Sequence, residues 1–336
     1  MRLLVLGGTE FVGRAVVEEA LARGWAVTVL NRGRHPVPDG VTALRGDRTG
    51  GAAGLAALRG ASEADGGGWD AVVDTWSGAP SAVRDAAGLL AGHAERYAYV
   101  SSCSVYPLPG PPGQDEAAAV VAASPDAAAT DYAADKRGGE LAALAAFGAD
   151  RALLVRAGLI LGPYENIGRL PWWLTRVARG GDVLAPGPRD LGLQYVDARD
   201  LAAWTLDALA AGRSGPYNLV GPPGVTTTGA LLDACVAATG SGARLCWTEP
   251  HVIEAAGVEP WTELPVWLPP GPLYDSLHRL DVSKALTAGL RCRPVAETVR
   301  DTWRWLEGLG GAAPQRPDRP APGLDPEREA AVLAAR

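Results

Sequence analysis

The chain has 336 residues, of which 47% are hydrophobic and 21% are charged, and its formal net charge is −7. These values are typical of a globular protein with one large domain or two modest ones, and the acidic balance argues against a nucleic-acid or anionic-membrane partner. The first apolar run, residues 3–6, is too short for a secretory signal or a membrane span. Four cysteines and four histidines are dispersed, so we expect reduced thiols, no metal site and a cytoplasmic protein.

Short apolar runs alternate with amphipathic helical patterns through the first 220 residues. The apolar runs cover residues 3–6, 26–30, 71–74, 97–101, 152–156 and 217–220, and the helical patterns cover 11–22, 81–90 and 132–147. This alternation predicts an α/β fold with a doubly wound parallel sheet and helices on both faces. Ligands of such sheets bind beyond the carboxyl ends of the strands, so the residues that follow each run are the candidate site.

The pattern changes after Leu161 and predicts three parts. A dinucleotide-binding Rossmann domain is expected at 1–162 and 193–221, and a smaller C-terminal α/β substrate lobe at 163–192 and 222–312. The remaining residues, 313–336, begin with a Pro-rich stretch that we expect to be extended or mobile. Asp325 and Pro326 then open a short terminal helix. Whether this tail docks on the rest of the protein is open at this stage.

The first apolar run ends in a glycine turn, Gly7-Gly8-Thr9-Glu10-Phe11-Val12-Gly13, followed by a helix. Such turns let backbone amides approach a pyrophosphate, and they let the helix pack close to the strand. The turn therefore predicts a dinucleotide site with contacts from Gly7, Thr9, Glu10, Phe11, Val12 and Gly13. Glu10 replaces the usual middle glycine, and its side chain is expected to turn outward, away from a pyrophosphate.

Three further strand ends are predicted to complete the cofactor site. Asn31 and Arg32 follow the second strand, where an acid would read the ribose of NAD, whereas an arginine suits the 2′-phosphate of NADP. NADP is the favoured cofactor and NAD is the alternative. Asp47 and Arg48 follow the third strand, and Asp47 can accept from the adenine amino group. Thr75 and Trp76 follow the fourth strand, near the expected nicotinamide ribose.

Lys136 is one of only two lysines, against 29 arginines, and it lies four residues after Tyr132. Residues four apart share a helix face, so the ammonium and the phenol would point into the same space. A nearby ammonium favours the phenolate and makes a tyrosine a usable proton donor and acceptor. An ordinary helix-face pair is the alternative interpretation of this spacing.

With these motifs in order, the chain resembles the extended, epimerase/dehydratase-like branch of the short-chain dehydrogenase/reductase superfamily. The resemblance covers about residues 1–310. Its further motifs are the serine strand Val100-Ser101-Ser102-Cys103-Ser104-Val105-Tyr106, the segments at 156–163 and 194–202, and residues 281–285. The turn Gly-Gly-Thr-x-Phe-Val-Gly is similar to that of atypical members, which include reductases and stem-loop-binding proteins.

The resemblance implies roles for particular residues. Ser102, Tyr132 and Lys136 correspond to the catalytic set, in which Lys136 also holds the nicotinamide ribose. Ser101, Ala157, Gly158 and Ile160 are expected beside the nicotinamide. The dehydratases of the family carry an Asp-Glu pair where this chain has Cys103 and Ser104, so dehydration by that route is not expected. The lobe tryptophans could stack on a substrate or belong to the lobe core: Trp172, Trp173, Trp261 and Trp267.

Three functions are compatible with the sequence. The first is an NAD(P)-dependent oxidoreductase that transfers a hydride at a carbonyl or secondary alcohol of a small metabolite. The second is a nucleotide-sugar epimerase with tightly bound NAD. The third, a non-catalytic NADP-sensing or RNA-binding protein, is disfavoured by the intact Ser102, Tyr132 and Lys136 and by the acidic charge. A small-molecule partner is expected, without nucleic acid or membrane, and a homodimer is one option for assembly.

Overall fold

The computed structural model describes residues 1–63 and 68–335 and contains a central seven-stranded sheet. All pairings within this sheet are parallel, and the strand order is β11-β6-β5-β4-β1-β2-β3. The strands are β1 (Arg2–Leu6), β2 (Ala26–Asn31), β3 (Thr42–Arg45), β4 (Trp69–Asp74), β5 (Ala94–Ser102), β6 (Ala152–Ala157), β7 (Leu159–Leu161), β8 (Asp182–Pro186), β9 (Gly192–Leu193), β10 (Tyr195–Asp197), β11 (Gly215–Leu219), β12 (Thr226–Thr227) and β13 (Arg244–Thr248). The doubly wound parallel sheet predicted from the sequence is confirmed.

Helices cover both faces of this sheet. The strand residues that face one side pack with α1 and α7, and those that face the other side pack with α3, α4 and α5. The helices are α1 (Phe11–Ala22), α2 (Gly51–Gly54), α3 (Ala56–Glu63), α4 (Pro80–Leu90), α5 (Tyr132–Phe147), α6 (Arg169–Ala178), α7 (Ala198–Ala210), α8 (Thr228–Thr239), α9 (Pro250–Ala255), α10 (Pro272–His278), α11 (Ser283–Thr287), α12 (Val295–Gly308) and α13 (Pro326–Ala335). Such coverage explains why the central strands are apolar on both faces.

The sheet reverses its strand order between β1 and β4, which are neighbours although several elements of sheet and helix separate them in sequence. Leu6 is paired with Leu30 of β2 and with Asp74 of β4, so the three strands end level with one another. The crevice at such a switch point is where doubly wound sheets bind ligands. The glycine turn after Leu6 and the residue Thr75 therefore meet at one edge.

A separate hydrophobic core lies in the later part of the chain. It is built from α6, α8 and α12 around the parallel pair of β8 and β13. Trp173 and Trp267 are buried in it, which confirms the lobe-core interpretation for these two tryptophans. The predicted boundaries between the dinucleotide-binding domain and the lobe stay a prediction.

The Pro-rich tail docks on the protein, a question that the sequence left open. Residues 312–325, here called the C-terminal strap, run from the end of α12 to α13. The Arg316 N–H donates to the Asn166 carbonyl at 3.0 Å, and the Gly323 N–H donates to the Thr262 carbonyl at 2.8 Å. Asp325 caps α13 as predicted, since its carboxylate accepts from the Glu327 N–H at 2.9 Å.

The terminal helix α13 is fastened by a buried ion pair. The carboxylate of Glu329 accepts from the Arg176 guanidinium at 2.5 Å and from the Leu184 N–H at 3.0 Å. Leu324 and Val332 add apolar contact with the lobe core. Both ends of the strap are thus held in place. None of the helices described, in residues 1–63 and 68–335, is both long and apolar enough to cross a bilayer.

Candidate active site

The glycine turn packs so closely that side chains are excluded from it. A Cβ atom on Gly7, whose φ is 121°, would lie 2.5 Å from the Thr75 hydroxyl oxygen, and one on Gly13 would lie 2.6 Å from the Gly8 nitrogen. Helix α1 begins directly at the turn, and no side chain caps its N-terminus. Its first N–H groups are therefore available to an anion, as a pyrophosphate site requires.

Glu10 turns outward, as the sequence analysis expected. Its carboxylate lies 2.9 Å from the His35 imidazole, and about half of its side chain is exposed. The Glu10 carboxylate therefore does not block access of an anion to the N-terminus of α1.

The end of β2 presents hydrogen-bond donors. The Asn31 side-chain oxygen accepts from the Gly33 N–H at 2.7 Å. Its amide nitrogen is buried and has no hydrogen-bond partner in the described part of the chain. Arg32 beside it is exposed, and the Arg45 side chain lies against Gly33. Where an NAD-type site would offer a carboxylate acceptor, this chain offers donors and positive charge.

Asp47 and Arg48, predicted at the adenine end, both have local partners. The Asp47 carboxylate accepts from the hydroxyl and the N–H of Thr49, and these bonds lower the pKa of Asp47. The buried Arg48 guanidinium forms a two-pronged ion pair with Asp74, at 2.5 and 2.7 Å. The Arg48 side chain thus belongs to the core beneath the crevice, with 6% of the residue exposed.

Lys136 is buried beneath the crevice, with 3% of its surface exposed. Its ammonium donates to the Trp76 carbonyl at 2.6 Å and to the Val100 carbonyl at 2.7 Å. An ammonium has three N–H donors, so one remains for a substrate, a cofactor hydroxyl or Tyr132. Burial lowers the pKa of Lys136 to about 7, and the positive charges of Arg316 and Arg319 act in the same direction.

This shift predicts a pH dependence of stability. The pKa of Lys136 is about 7 when folded and near 10.5 when exposed, so between these values the unfolded chain holds a proton that the folded chain has lost. The free energy of unfolding should then rise with pH, by up to about 1.4 kcal/mol per pH unit. Urea unfolding between pH 6 and 10 measures this rise. The free energy of unfolding should increase less steeply with pH in Lys136→Met than in the wild type. In Lys284→Met, which changes the exposed second lysine, it should increase as steeply as in the wild type. Equal slopes for wild type and Lys136→Met would contradict the prediction.

Tyr132 and Ser102 line one cavity of about 170 Å³. Tyr132 opens α5, which Asp131 caps by accepting from the Ala134 N–H at 2.9 Å. Its side chain is 41% exposed, and its hydroxyl forms no hydrogen bond with any residue that the structure describes. The Ser102 hydroxyl lies 3.1 Å from that of Ser104 and can turn toward a ligand.

The same cavity collects other predicted residues from three elements. Phe11, Ala157, Gly158 and Ile160 line it with Ser102 and Tyr132. Ser101 differs, because its hydroxyl donates to the buried Glu140 carboxylate at 2.8 Å. Its side chain therefore supports the core behind the strand and does not face the cavity.

Sequence reasoning missed part of the cavity wall. Arg169 at the start of α6 and Arg316 and Arg319 of the C-terminal strap line it, and Trp261 adds an aromatic face. The Arg319 guanidinium lies 5.3 Å from the centre of the Tyr132 ring, and that of Arg169 lies 5.5 Å from the Trp261 ring. From the sequence, Trp261 is a candidate for stacking on a substrate. The arginines could not be identified in this way, because single arginines in a Pro-rich stretch carry no local signal of a site.

Comparison of the sequence with models of protein families classifies the chain. The model of the NAD dependent epimerase/dehydratase family matches residues 3–220. The chain belongs to this family. A search of the curated proteins finds no match.

Solved structures of other enzymes share the fold over nearly the whole chain. A UDP-glucose 4-epimerase of Thermus thermophilus in complex with NAD is 23% identical, covers 92% of this chain and 99% of its own, and has a TM-score of 0.63. The enzyme WbmG of Bordetella bronchiseptica, in complex with NAD and UDP, is 19% identical, with coverages of 96% and 99% and a TM-score of 0.66. At such identities the likeness establishes the fold, and the activity must be argued from the site.

Proposed function

We propose that the protein is an NAD(P)-dependent oxidoreductase that transfers a hydride at a carbonyl or secondary alcohol of a small metabolite. One observation carries the proposal: Ser102 and Tyr132 line the same cavity at the switch point, and Lys136 is buried on the same helix as Tyr132, one turn later. Family membership supports a dinucleotide-dependent enzyme. The proposal includes catalytic roles for Ser102, Tyr132 and Lys136.

The residues at the crevice fit a dinucleotide. The uncapped start of α1 and the side-chain-free turn at Gly7 and Gly13 suit a pyrophosphate, and the Asn31 amide suits an oxygen of the adenosine ribose. When bound, the cofactor supplies the hydride to a carbonyl carbon or accepts it from an alcohol.

The chain's own residues manage the proton and the developing charge. The Ser102 hydroxyl donates to the substrate oxygen as negative charge grows on it. The Tyr132 hydroxyl gives its proton to that oxygen, or takes it back in the reverse direction. The remaining Lys136 N–H, when the amine is protonated, stabilises the phenolate left on Tyr132.

NADP is the proposed cofactor. The support is that Asn31 and Arg32 at the end of β2 offer N–H donors and a positive charge, and a guanidinium binds phosphate through charge-assisted bonds. NAD is the alternative, because the similar structures, a UDP-glucose 4-epimerase and the enzyme WbmG, contain it.

A nucleotide-sugar epimerase is the second candidate. It is favoured by the similar structures, which include a UDP-glucose 4-epimerase and an enzyme bound to UDP. The two candidates share Ser102, Tyr132 and Lys136 and differ in whether the hydride leaves with the product or returns. A non-catalytic sensor has no such support in the cavity.

Deuterium tracing tests the proposed function. Purified protein is incubated with NADPH or NADH deuterated at C4, in either configuration, and with a panel of small carbonyl compounds. We expect oxidised NADP to be released and the deuterium to appear on the alcohol carbon. An epimerase would instead interconvert nucleotide sugars with its own retained cofactor and without net oxidation. Absence of transfer from either dinucleotide to any carbonyl compound in the panel would reject the reductase.

A further inference from the structure

The cavity beside Tyr132 is strongly cationic. Three guanidinium groups line it, and none of the described residues that line it is an aspartate or glutamate; the arginines are Arg169, Arg316 and Arg319. The chain as a whole carries a net charge of −7, so this concentration of positive charge runs against its overall balance. Crowding like charges in a partly closed space is unfavourable unless an anion joins them.

Two of the three guanidinium groups form no hydrogen bond with a carboxylate in the described structure, although the Glu165 carboxylate, which accepts from the Arg169 backbone N–H at 2.8 Å, attracts the Arg169 guanidinium. Arg316 is satisfied within the strap, where it binds Asp318 at 2.7 and 3.0 Å. Arg169 and Arg319 form no ion pair among residues 1–63 and 68–335; each lies against an aromatic ring. Burial lowers the pKa of Arg169; the attraction of the Glu165 carboxylate opposes this shift, and the repulsion from Arg319 adds to it. Both groups thus have hydrogen-bond donors to spare.

The structure holds the strap arginines in place. The backbone bond from Arg316 to Asn166 fixes the strap beside α6. The Gln315 side chain packs so closely on Gly168 that a Cβ there would lie 2.4 Å from its amide nitrogen. A guanidinium held by such contacts loses less entropy when it binds a ligand than a free surface arginine does.

We propose that the substrate carries an anionic oxygen group, a carboxylate or a phosphate, which Arg169 and Arg319 bind beside Tyr132. This inference rests on the proposed function. The Arg319 guanidinium lies 5.3 Å from the Tyr132 ring, so the anion and the reacting oxygen belong to one small molecule. The preferred substrate class is a short oxo acid, or a phosphorylated carbonyl compound, and its hydroxy counterpart.

The cofactor's pyrophosphate is the other possible source of such an anion. It is expected at the start of α1, and among the three arginines it is Arg316 whose charge interacts with Glu10, the residue directly before that helix. Arg319 lies on Tyr132 and Arg169 on Trp261, both on the wall of the lobe and the strap. We therefore assign these two arginines to the substrate.

Binding of a paired acid and amide tests the assignment. Calorimetric titrations of protein saturated with NADPH compare the binding of oxamate with that of its neutral amide, oxamide. A parallel series measures the binding of inorganic phosphate in place of oxamate. Oxamate or phosphate should bind the wild type, and oxamide should not. Arg319→Gln should weaken anion binding by at least about tenfold, as the loss of a charge-assisted hydrogen bond implies. Arg319→Lys should restore part of it.

The matched control is Arg304→Gln, which removes the same charge from an exposed position on α12. It should leave anion binding unchanged, and Arg319→Gln should leave the Kd of NADPH unchanged. If Arg319→Gln weakens NADPH binding and spares the anion, Arg319 serves the cofactor and the inference is overturned. Reduction of neutral carbonyl compounds, with no preference for acids and no loss in Arg319→Gln, would refute the inference and leave the proposed function intact.

Discussion

Replacing Tyr132 with phenylalanine is expected to lower kcat for carbonyl reduction by about 10²–10⁴-fold, the usual contribution of a positioned proton donor. The substitution keeps the ring on which the Arg319 guanidinium stacks, and the hydroxyl that it removes has no hydrogen-bond partner in the described structure. The fold and the cofactor site should therefore persist. Steady-state kinetics with NADPH, together with the Kd of the dinucleotide, measure the two effects separately.

Tyr274→Phe is the matched control for this variant. It removes a hydroxyl that donates to the Gly192 carbonyl at 2.9 Å and does not line the cavity. It should change stability by about 1 kcal/mol and leave kcat unaltered. If Tyr132→Phe kept wild-type kcat with cofactor bound, proton transfer by Tyr132 would be ruled out.

The second large effect is expected from Asp74→Ala. The Asp74 carboxylate is fully buried and accepts from both terminal nitrogens of Arg48, from the Tyr97 hydroxyl and from the Trp76 N–H. Removing it leaves the buried Arg48 guanidinium without its counter-ion. The free energy of unfolding should fall by about 3–5 kcal/mol, the usual cost of breaking a buried pair on one side. Urea unfolding followed by tryptophan fluorescence provides the measurement.

Asp70→Ala supplies the control on the same strand. Asp70 lies at the opposite end of β4, where its carboxylate accepts from the Arg2 N–H at an exposed site. Its loss should cost less than about 1 kcal/mol. Comparable destabilisation by both variants would show that burial of the Arg48–Asp74 pair is not what stabilises this region.

Local patterns in the sequence predicted the sheet and the crevice well. The alternation of apolar runs and amphipathic stretches predicted α1 and α5 with the bounds that the structure shows, at 11–22 and 132–147. The reason is that each central strand and helix of a doubly wound fold buries its own apolar residues, so the signal is local. The glycine turn could be predicted equally well. Side chains at Gly7 and Gly13 would clash with atoms of the turn itself and of the neighbouring strand end, so glycine is required there by local geometry.

The remaining wall of the cavity could not be predicted in this way. Arg169, Arg316 and Arg319 come together only because the strap crosses α6, and that crossing depends on contacts between residues far apart in sequence, such as Arg316 with Asn166. The Pro-rich stretch favoured an extended chain but carried no information on where it docks. The side chain of Ser101 shows the same limit, since its turn toward Glu140 depends on α5.

The position of the strap has a consequence for how the protein acquires activity during synthesis. The glycine turn leaves the ribosome about 300 residues before Arg316 and Arg319. At typical synthesis rates of roughly 5–20 residues per second, the parallel sheet has time to form before the strap exists. A nascent chain can then hold its cofactor crevice while the wall beside Tyr132 is still missing. Competence toward an anionic substrate would be gained late and as a separate event.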